Sequence, residues 1–403
     1  SRKRGQERNQ LVMIDYDQML SSRAMELKPS GIRKFFDILE EMQDVVSLTV
    51  GQPDFDTPWH IREAGIRSLE EGRTYYTSNS GTVELRREIS AYQKRRFGLE
   101  YDPKNEIIVT VGGSEAIDLA IRAVVNIGDE VIVPEPCFVC YSPLVTLAGG
   151  APVTINLRAE NDFRLTAAEL EAAITPKTKA VVLAFPNNPT GAVLDGNDLE
   201  NLAEVIRRHN ILVISDEIYA ELTYGERHVS IASLDGMRER TIIAAGFSKS
   251  YAMTGWRLGY TLAPPEITAQ MLKIHQFAIM CAPTASQFAA VEAVRNGDED
   301  IEFMKAEYDG RRRFVVSGLH DMGIDCFVPR GAFYVFPDIS RFGMTSEEFC
   351  GRLLREKHVA IVPGTAFGEC GEGFARISYA YSLRHLEKAL KRMEEFINDL
   401  QKG

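Results

Sequence analysis

Lys249 closes the stretch Gly246-Phe247-Ser248-Lys249, which follows directly on the apolar run Thr241–Ala245. Most lysines are solvated and carry no chemistry. An amine held at the end of a buried strand loses its water, however, so its pKa falls and it can form a Schiff base with a carbonyl carbon. Ser248, and Arg257 within Thr254-Gly255-Trp256-Arg257-Leu258-Gly259-Tyr260, can bring a hydroxyl and a bidentate guanidinium to one phosphate. A second phosphate-binding feature follows the run Ile107–Val111, where Gly112-Gly113-Ser114-Glu115 leads into a helical stretch. Free amides at the positive end of a helix dipole hold anions, although such a glycine turn also serves as plain connection. Asp216-Glu217-Ile218-Tyr219 follows the apolar run Ile211–Ser215. A carboxylate there is costly to desolvate unless it meets a cation such as a protonated pyridinium nitrogen; the other reading is a helix N-cap. Pro186-Asn187-Asn188-Pro189-Thr190-Gly191 follows Ala180–Phe185 and reads as a tight turn, with Asn188 placed to donate a hydrogen bond.

All of these groups sit just beyond apolar runs, and the runs are the elements that must position them. Candidate strands are Ile107–Val111, Val131–Val133, Val153–Leu157, Ala180–Phe185, Ile211–Ser215, Thr241–Ala245 and Leu258–Leu262. Most are continuous rather than alternating, the pattern of strands buried on both faces. Helical patterns lie between them, including Glu115–Val125 and Asp198–His209, the latter with Asp198 suited to cap its N-terminus. Alternating strands and helices predict an α/β fold with a mostly parallel seven-stranded sheet, whose ligands sit at the strands' carboxyl ends. The link from Ala245 to Leu258 is short for a crossover, so Leu258–Leu262 is expected to run antiparallel. Beyond about residue 290 the pattern changes to a charged helix near Glu302–Leu319, short strands flanking Phe327 and Phe333–Phe336, and a final helix over Leu383–Leu400. The expected division is a large domain at 47–290 and a smaller α+β domain from 1–46 and 291–403.

Composition narrows the function classes. The 403 residues exceed what one hydrophobic core usually fills. A formal net charge of −11 argues against nucleic acid and anionic membrane surfaces as partners. No apolar run is long enough to span a bilayer, so the expected location is the cytoplasm. Cys137 and Cys140 form a C-x-x-C, but the other four cysteines are scattered and no histidine spacing suits a metal; no metal is expected.

Taken together, Ser248-Lys249, Thr254-Gly255-Trp256-Arg257-Leu258-Gly259, Asn187-Asn188-Pro189-Thr190-Gly191 and Asp216-Glu217-Ile218-Tyr219 resemble the class I and II aminotransferases of pyridoxal-phosphate fold type I. The likeness runs from about Lys28-Pro29-Ser30-Gly31-Ile32 to the C-terminal helix. The resemblance implies pyridoxal 5′-phosphate attached at Lys249, which then moves the substrate's α-proton. It implies that Asp216 keeps the pyridine nitrogen protonated, that Asn188 and Tyr219 bond the ring's phenolic oxygen, and that Phe138 and Ile218 cover its two faces. The backbone of Gly113, Ser114 and Glu115, with Ser248 and Arg257, would hold the phosphate. Arg376, in Phe374-Ala375-Arg376-Ile377, would grip the substrate carboxylate with Asn188 and the amide of Gly51, while Ile32 would line the side-chain pocket. Tyr76 would reach the phosphate of a neighbouring subunit, implying a homodimer. Two positions depart from the pattern: Gly246, where part of the family has serine, and Phe138, where tyrosine or tryptophan is common. The implied reaction moves an amino group from an L-amino acid to a 2-oxo acid, with 2-oxoglutarate the expected acceptor and alanine, aspartate or an aromatic amino acid as donor. A carbon–sulfur β-lyase or another pyridoxal-phosphate enzyme of the same fold is the alternative.

Overall fold

A computed structural model describes residues 13–29, 39 and 42–402. Among the described residues the strands are β1 (Val46–Ser47), β2 (Ile107–Thr110), β3 (Glu130–Glu135), β4 (Ala151–Asn156), β5 (Thr178–Ala184), β6 (Leu212–Asp216), β7 (Thr241–Gly246), β8 (Gly259–Leu262), β9 (Tyr334–Val335), β10 (Val359–Ala360), β11 (Val362–Pro363) and β12 (Ala375–Ser378).

Every residue of β2 and β8 is buried, as the unbroken apolar runs require. Seven strands form one sheet in the order β2-β8-β7-β6-β5-β3-β4. All neighbours pair parallel except β8, which runs antiparallel to both β2 and β7, as the short Ala245-to-Leu258 link implied. Alternation along the strands divides the core between the two faces. Ile108, Val131, Ile214 and Ile242 pack on one side with the helix Gly112–Val124, whereas Val181, Leu183 and Val213 pack on the other with Gly196–His209. At the end of β6 the same alternation separates Asp216 from Ser215 and Glu217.

A further apolar cluster holds β1 paired parallel to β10, the helices Asp298–Asp321, Ser346–Lys357 and Leu383–Lys402, and most of the antiparallel sheet β11-β12-β9. Val46, Leu48, Tyr219 and Leu222 join this cluster, so the residues just after Asp216 are packed from two cores.

Three expectations are corrected. Asp195, not Asp198, caps the helix Gly196–His209; Asp198 sits at the third helical position and reaches back, completing a capping box. No strand forms at Phe327, which lies in irregular chain and instead packs its ring 5.8 Å from Phe163. The charged helix begins at Asp298, where Asp298, Glu299 and Asp300 favour the positive end of its dipole. Among the described residues no helix is long and apolar enough to cross a membrane.

Candidate active site

The carboxyl ends of β3, β5, β6 and β7 open into a cavity of about 540 Å³, closed from the other side by Thr49–Gly51, Tyr334 and Arg376. Lys249 lies inside it. Its Nζ donates to the Gly51 carbonyl at 2.5 Å and stands 5.8 and 5.9 Å from the rings of Tyr219 and Phe333. Burial, then the nearby Arg376 and Arg257 cations, push the Lys249 amine down to about 8, with Asp216 opposing them. Gly51 has no room for a side chain: a Cβ there would lie 2.4 Å from the Tyr334 hydroxyl oxygen.

Asp216 enters the cavity from the end of β6. Its Oδ2 accepts the Tyr141 hydroxyl at 2.6 Å and its Oδ1 the Ile218 amide at 3.1 Å. Burial pushes its carboxyl above the ordinary value despite these donors, and the adjacent Glu217 charge adds to the rise. A buried carboxylate in this state gains most from a fixed cationic partner.

The opposite end of the cavity is built for an anion. Gly113 and Ser114 open the helix Gly112–Val124, whose first amides have no intrahelical acceptor, and Ser248 and Arg257 line the same end. Gly112 has φ +74°, and a Cβ on it would lie 2.6 Å from an Arg257 Nη, so the arginine lies directly against the turn. Arg257 itself has φ +52° and donates from Nη1 to the Thr254 carbonyl at 3.0 Å. Glu115 is not in the cavity wall. Its carboxylate turns back to accept the Val111 amide at 2.7 Å and pairs with the fully buried His275 at 2.7 Å.

Asn188 accepts Nη1 of Arg376 at 2.9 Å, and Nη2 donates to the Thr49 carbonyl at 2.5 Å. The Arg376 Nε is buried without a partner, and no carboxylate of the described residues lies within 4.0 Å of this guanidinium. It is held between the rings of Tyr334 and Phe367, 4.5 and 4.8 Å away. Burying an unpaired cation is expensive, so this group is set to receive an anion.

The cavity therefore gathers Gly51, Gly113, Ser114, Phe138, Asn188, Asp216, Ile218, Tyr219, Ser248, Lys249, Arg257 and Arg376. Tyr76 is not among its walls and is 82% exposed. Ile32 lies outside the described residues. The space at Gly246 accounts for the missing serine, because a Cβ there would come within 2.9 Å of Ile218 Cδ1. Two tyrosines were not anticipated. Tyr141 follows the carboxyl end of β3, a position of the same kind as the predicted groups, but nothing in its neighbours marks it. Tyr334, whose hydroxyl lies 2.7 Å from that of Tyr219, comes from the other core and gave no sequence signal.

The profile of the family described as aminotransferase class I and II matches residues 43–393. The chain belongs to this family. The aminotransferase is 54% identical to the Bacillus subtilis protein YugH, whose name assigns it to the aminotransferases without a substrate, over 94% of this chain and 98% of that one. It is 46% identical to an aspartate aminotransferase of Pyrococcus abyssi, again over 94% of this chain and 98% of the relative. The solved structure of the aromatic aminotransferase from Pyrococcus horikoshii superposes with a TM-score of 0.87 at 46% identity, covering 91% of this chain and 99% of that one. The fold is that of the type I pyridoxal-phosphate enzymes, and the aminotransferase depends on pyridoxal 5′-phosphate. The residues lining its cavity fit that group in kind: helix-terminal amides and an arginine that would suit a phosphate, a buried carboxylate that would suit a ring nitrogen, and a desolvated amine.

Proposed function

We propose that the aminotransferase moves the amino group of an L-amino acid to 2-oxoglutarate, with Lys249 as both attachment point and proton carrier. The observation that carries this reading is the buried Arg376 guanidinium, without a carboxylate partner among the described residues, lining the same cavity as the depressed Lys249 amine. When bound, pyridoxal 5′-phosphate supplies an aldehyde for amine condensation and a ring that withdraws electrons from the substrate's α-carbon. Everything else falls to the chain. Arg376 and Asn188 grip the substrate carboxylate and so fix how its α-carbon is turned. Lys249, about half neutral at pH 8, would take the proton from that carbon and hold it within the cavity for return. Asp216 would hold the proton on the ring nitrogen, and Tyr219, whose hydroxyl pairs with that of Tyr334, would donate toward the ring's phenolic oxygen. Phe138 and Ile218 exclude water from the ring faces.

Val50, Phe138 and Val139 give the cavity an apolar wall, which supports an aliphatic or aromatic donor; relatives named for aspartate and for aromatic amino acids both occur. In the proposed assembly two copies pair, with Tyr76 of each reaching the other's phosphate end. The exposed Tyr75, Tyr76 and Phe277 support such a surface. The proposed domain division puts cofactor binding in 47–290 and the carboxylate grip of Arg376 in the smaller unit of 1–46 and 291–403. The proposed setting is the cytoplasm, where the six free cysteines stay reduced.

A panel of amino acids, each mixed with 2-oxoglutarate, tests the reaction. Glutamate should accumulate in step with the donor's oxo acid. Pyruvate and ammonia released without any 2-oxo acid present would instead assign a β-lyase. The amine's state gives a second test. Below about pH 8 Lys249 is increasingly protonated and cannot attack a carbonyl, so apoprotein should capture pyridoxal 5′-phosphate about tenfold more slowly per pH unit lost, with a plateau above. Timed borohydride quenching with mass analysis of the Lys249 peptide reads the rate. A rise continuing to pH 10 would show an ordinary lysine.

A further inference from the structure

Behind the β6 terminus, on the face turned away from Asp216, Glu217 is buried against two hydroxyl donors and an imidazole. Its Oε1 accepts the hydroxyls of Ser215 at 2.9 Å and Ser230 at 2.7 Å, and its Oε2 lies 3.2 Å from His228 Nε2. That last contact is close enough for an ion pair but off the hydrogen-bond direction. The Glu217 and His228 side chains are 5% and 7% exposed, and the Phe97 ring meets the imidazole edge-on at 5.9 Å. Ser230 is oriented by the Ala232 amide, which donates to its oxygen at 3.2 Å. Burial opposes the charge on Glu217, yet His228 and the two hydroxyls hold its carboxyl below the ordinary value. Removing a carboxylate from water in this way is costly before its partners compensate, yet neither Glu217 nor Ser215, His228 or Ser230 lines the cavity.

The position of this anchor suggests its use. The Glu217 amide donates to Ala244 on β7 at 2.8 Å, and its carbonyl accepts the Ala220 amide at 3.0 Å. Within that turn Ile218 donates to Asp216 Oδ1, and Tyr219 begins its course toward the cavity. The turn thus carries two site residues on one side and a buried clamp on the other.

We infer that Glu217, held by Ser215, His228 and Ser230, is a positioning residue that fixes the turn presenting Asp216 and Tyr219 to the cofactor. The inference rests on the reading of Asp216 as the partner of the ring nitrogen. Glu217→Gln keeps the shape and both hydroxyl contacts; Glu217→Leu fills the space and loses them. Dissociation constants of pyridoxal 5′-phosphate from each apoprotein, measured well below its thermal transition, should be about tenfold weaker for Glu217→Leu and within about threefold of the original for Glu217→Gln. The visible absorption band of the bound cofactor should shift in the Leu variant alone. A clamp that only stabilises the fold lowers the thermal midpoint without moving affinity or spectrum, and that outcome overturns the inference. Equal losses in both variants overturn it as well, because charge rather than anchoring would then be responsible. If Glu217→Leu does not fold, the Ser215→Ala/Ser230→Ala pair should lose about threefold in affinity, and unchanged affinity there is equally fatal. Asp216→Ala run in parallel separates the two layers: normal cofactor affinity in that variant sinks the underlying reading, whereas a defect there with a normal Glu217→Leu sinks only the positioning role.

Discussion

Lys249→Ala is expected to lower amino transfer by about 10⁴-fold or more while leaving a protein that still binds pyridoxal 5′-phosphate without a covalent bond. Two functions disappear with one amine. The attachment point is lost, and so is the one lysine among the described residues that line the cavity, which burial and two cationic neighbours hold near 8. The proposed binding contacts survive, because the amides of Gly113 and Ser114, the guanidinium of Arg257 and the carboxylate of Asp216 do not depend on that side chain. Removing the amine also frees the Gly51 carbonyl, which accepts its hydrogen bond here and then faces an open, hydratable cavity at little cost to folding. The check has two arms. Borohydride reduction should add no cofactor mass to the variant, and stopped-flow mixing with a good donor should show no fast spectral change. Rates within a factor of about ten of the original would remove Lys249 from the chemistry, since general-base contributions are larger than that.

Much of this site was legible because the sheet writes it into the sequence. Lys249, Asp216, Asn188 and Gly113 each follow an apolar run closely, and a strand's carboxyl end in a doubly wound sheet is where ligands meet the chain. The short link that predicted an antiparallel β8 was readable for the same reason, since connection length constrains strand direction. Arg376 obeys no such rule. It stands on β12, its neighbours are ordinary core residues, and it reaches the cavity only because the second core packs over the first; the family likeness, not any local pattern, marked it. Tyr334 escaped for that reason too, arriving from β9 with no motif around it. Tyr141 was hidden differently. Its hydroxyl matters only through the Asp216 carboxylate, and a contact between residues 75 positions apart is invisible to periodicity. The misplaced helix cap shows the local version of the problem: Asp195 and Asp198 both suit the role, and the choice between them depends on where the chain leaves its preceding turn. The run Cys326-Phe327-Val328 is short and apolar, as a buried strand would be, whereas the structure leaves it irregular and packs Phe327 against Phe163.

Arg376→Gln should separate substrate recognition from cofactor attachment. The guanidinium is buried, it is flanked by two aromatic rings, and burial pushes its pKa below the ordinary value while, among the described residues, its acceptors are Asn188 and a backbone carbonyl. A substrate carboxylate arriving at this guanidinium therefore meets a charge already stripped of water, and the attraction between them is little weakened by solvent. Glutamine keeps polarity and much of the length but neither the charge nor the fork. The expected result is a fall of about 10²- to 10³-fold in kcat/KM, carried mainly by KM, with borohydride still adding one cofactor to Lys249. Arg376→Lys should recover little, because a single ammonium cannot satisfy the Asn188 oxygen, the Thr49 carbonyl and a planar carboxylate from one point. Variants that lose cofactor attachment together with kcat/KM would show that Arg376 holds the cavity together rather than the substrate. Unchanged kcat/KM would move the carboxylate site elsewhere. The lysine variant is the sharper of the two, since it retains the positive charge and isolates geometry as the property that orients the α-carbon toward Lys249.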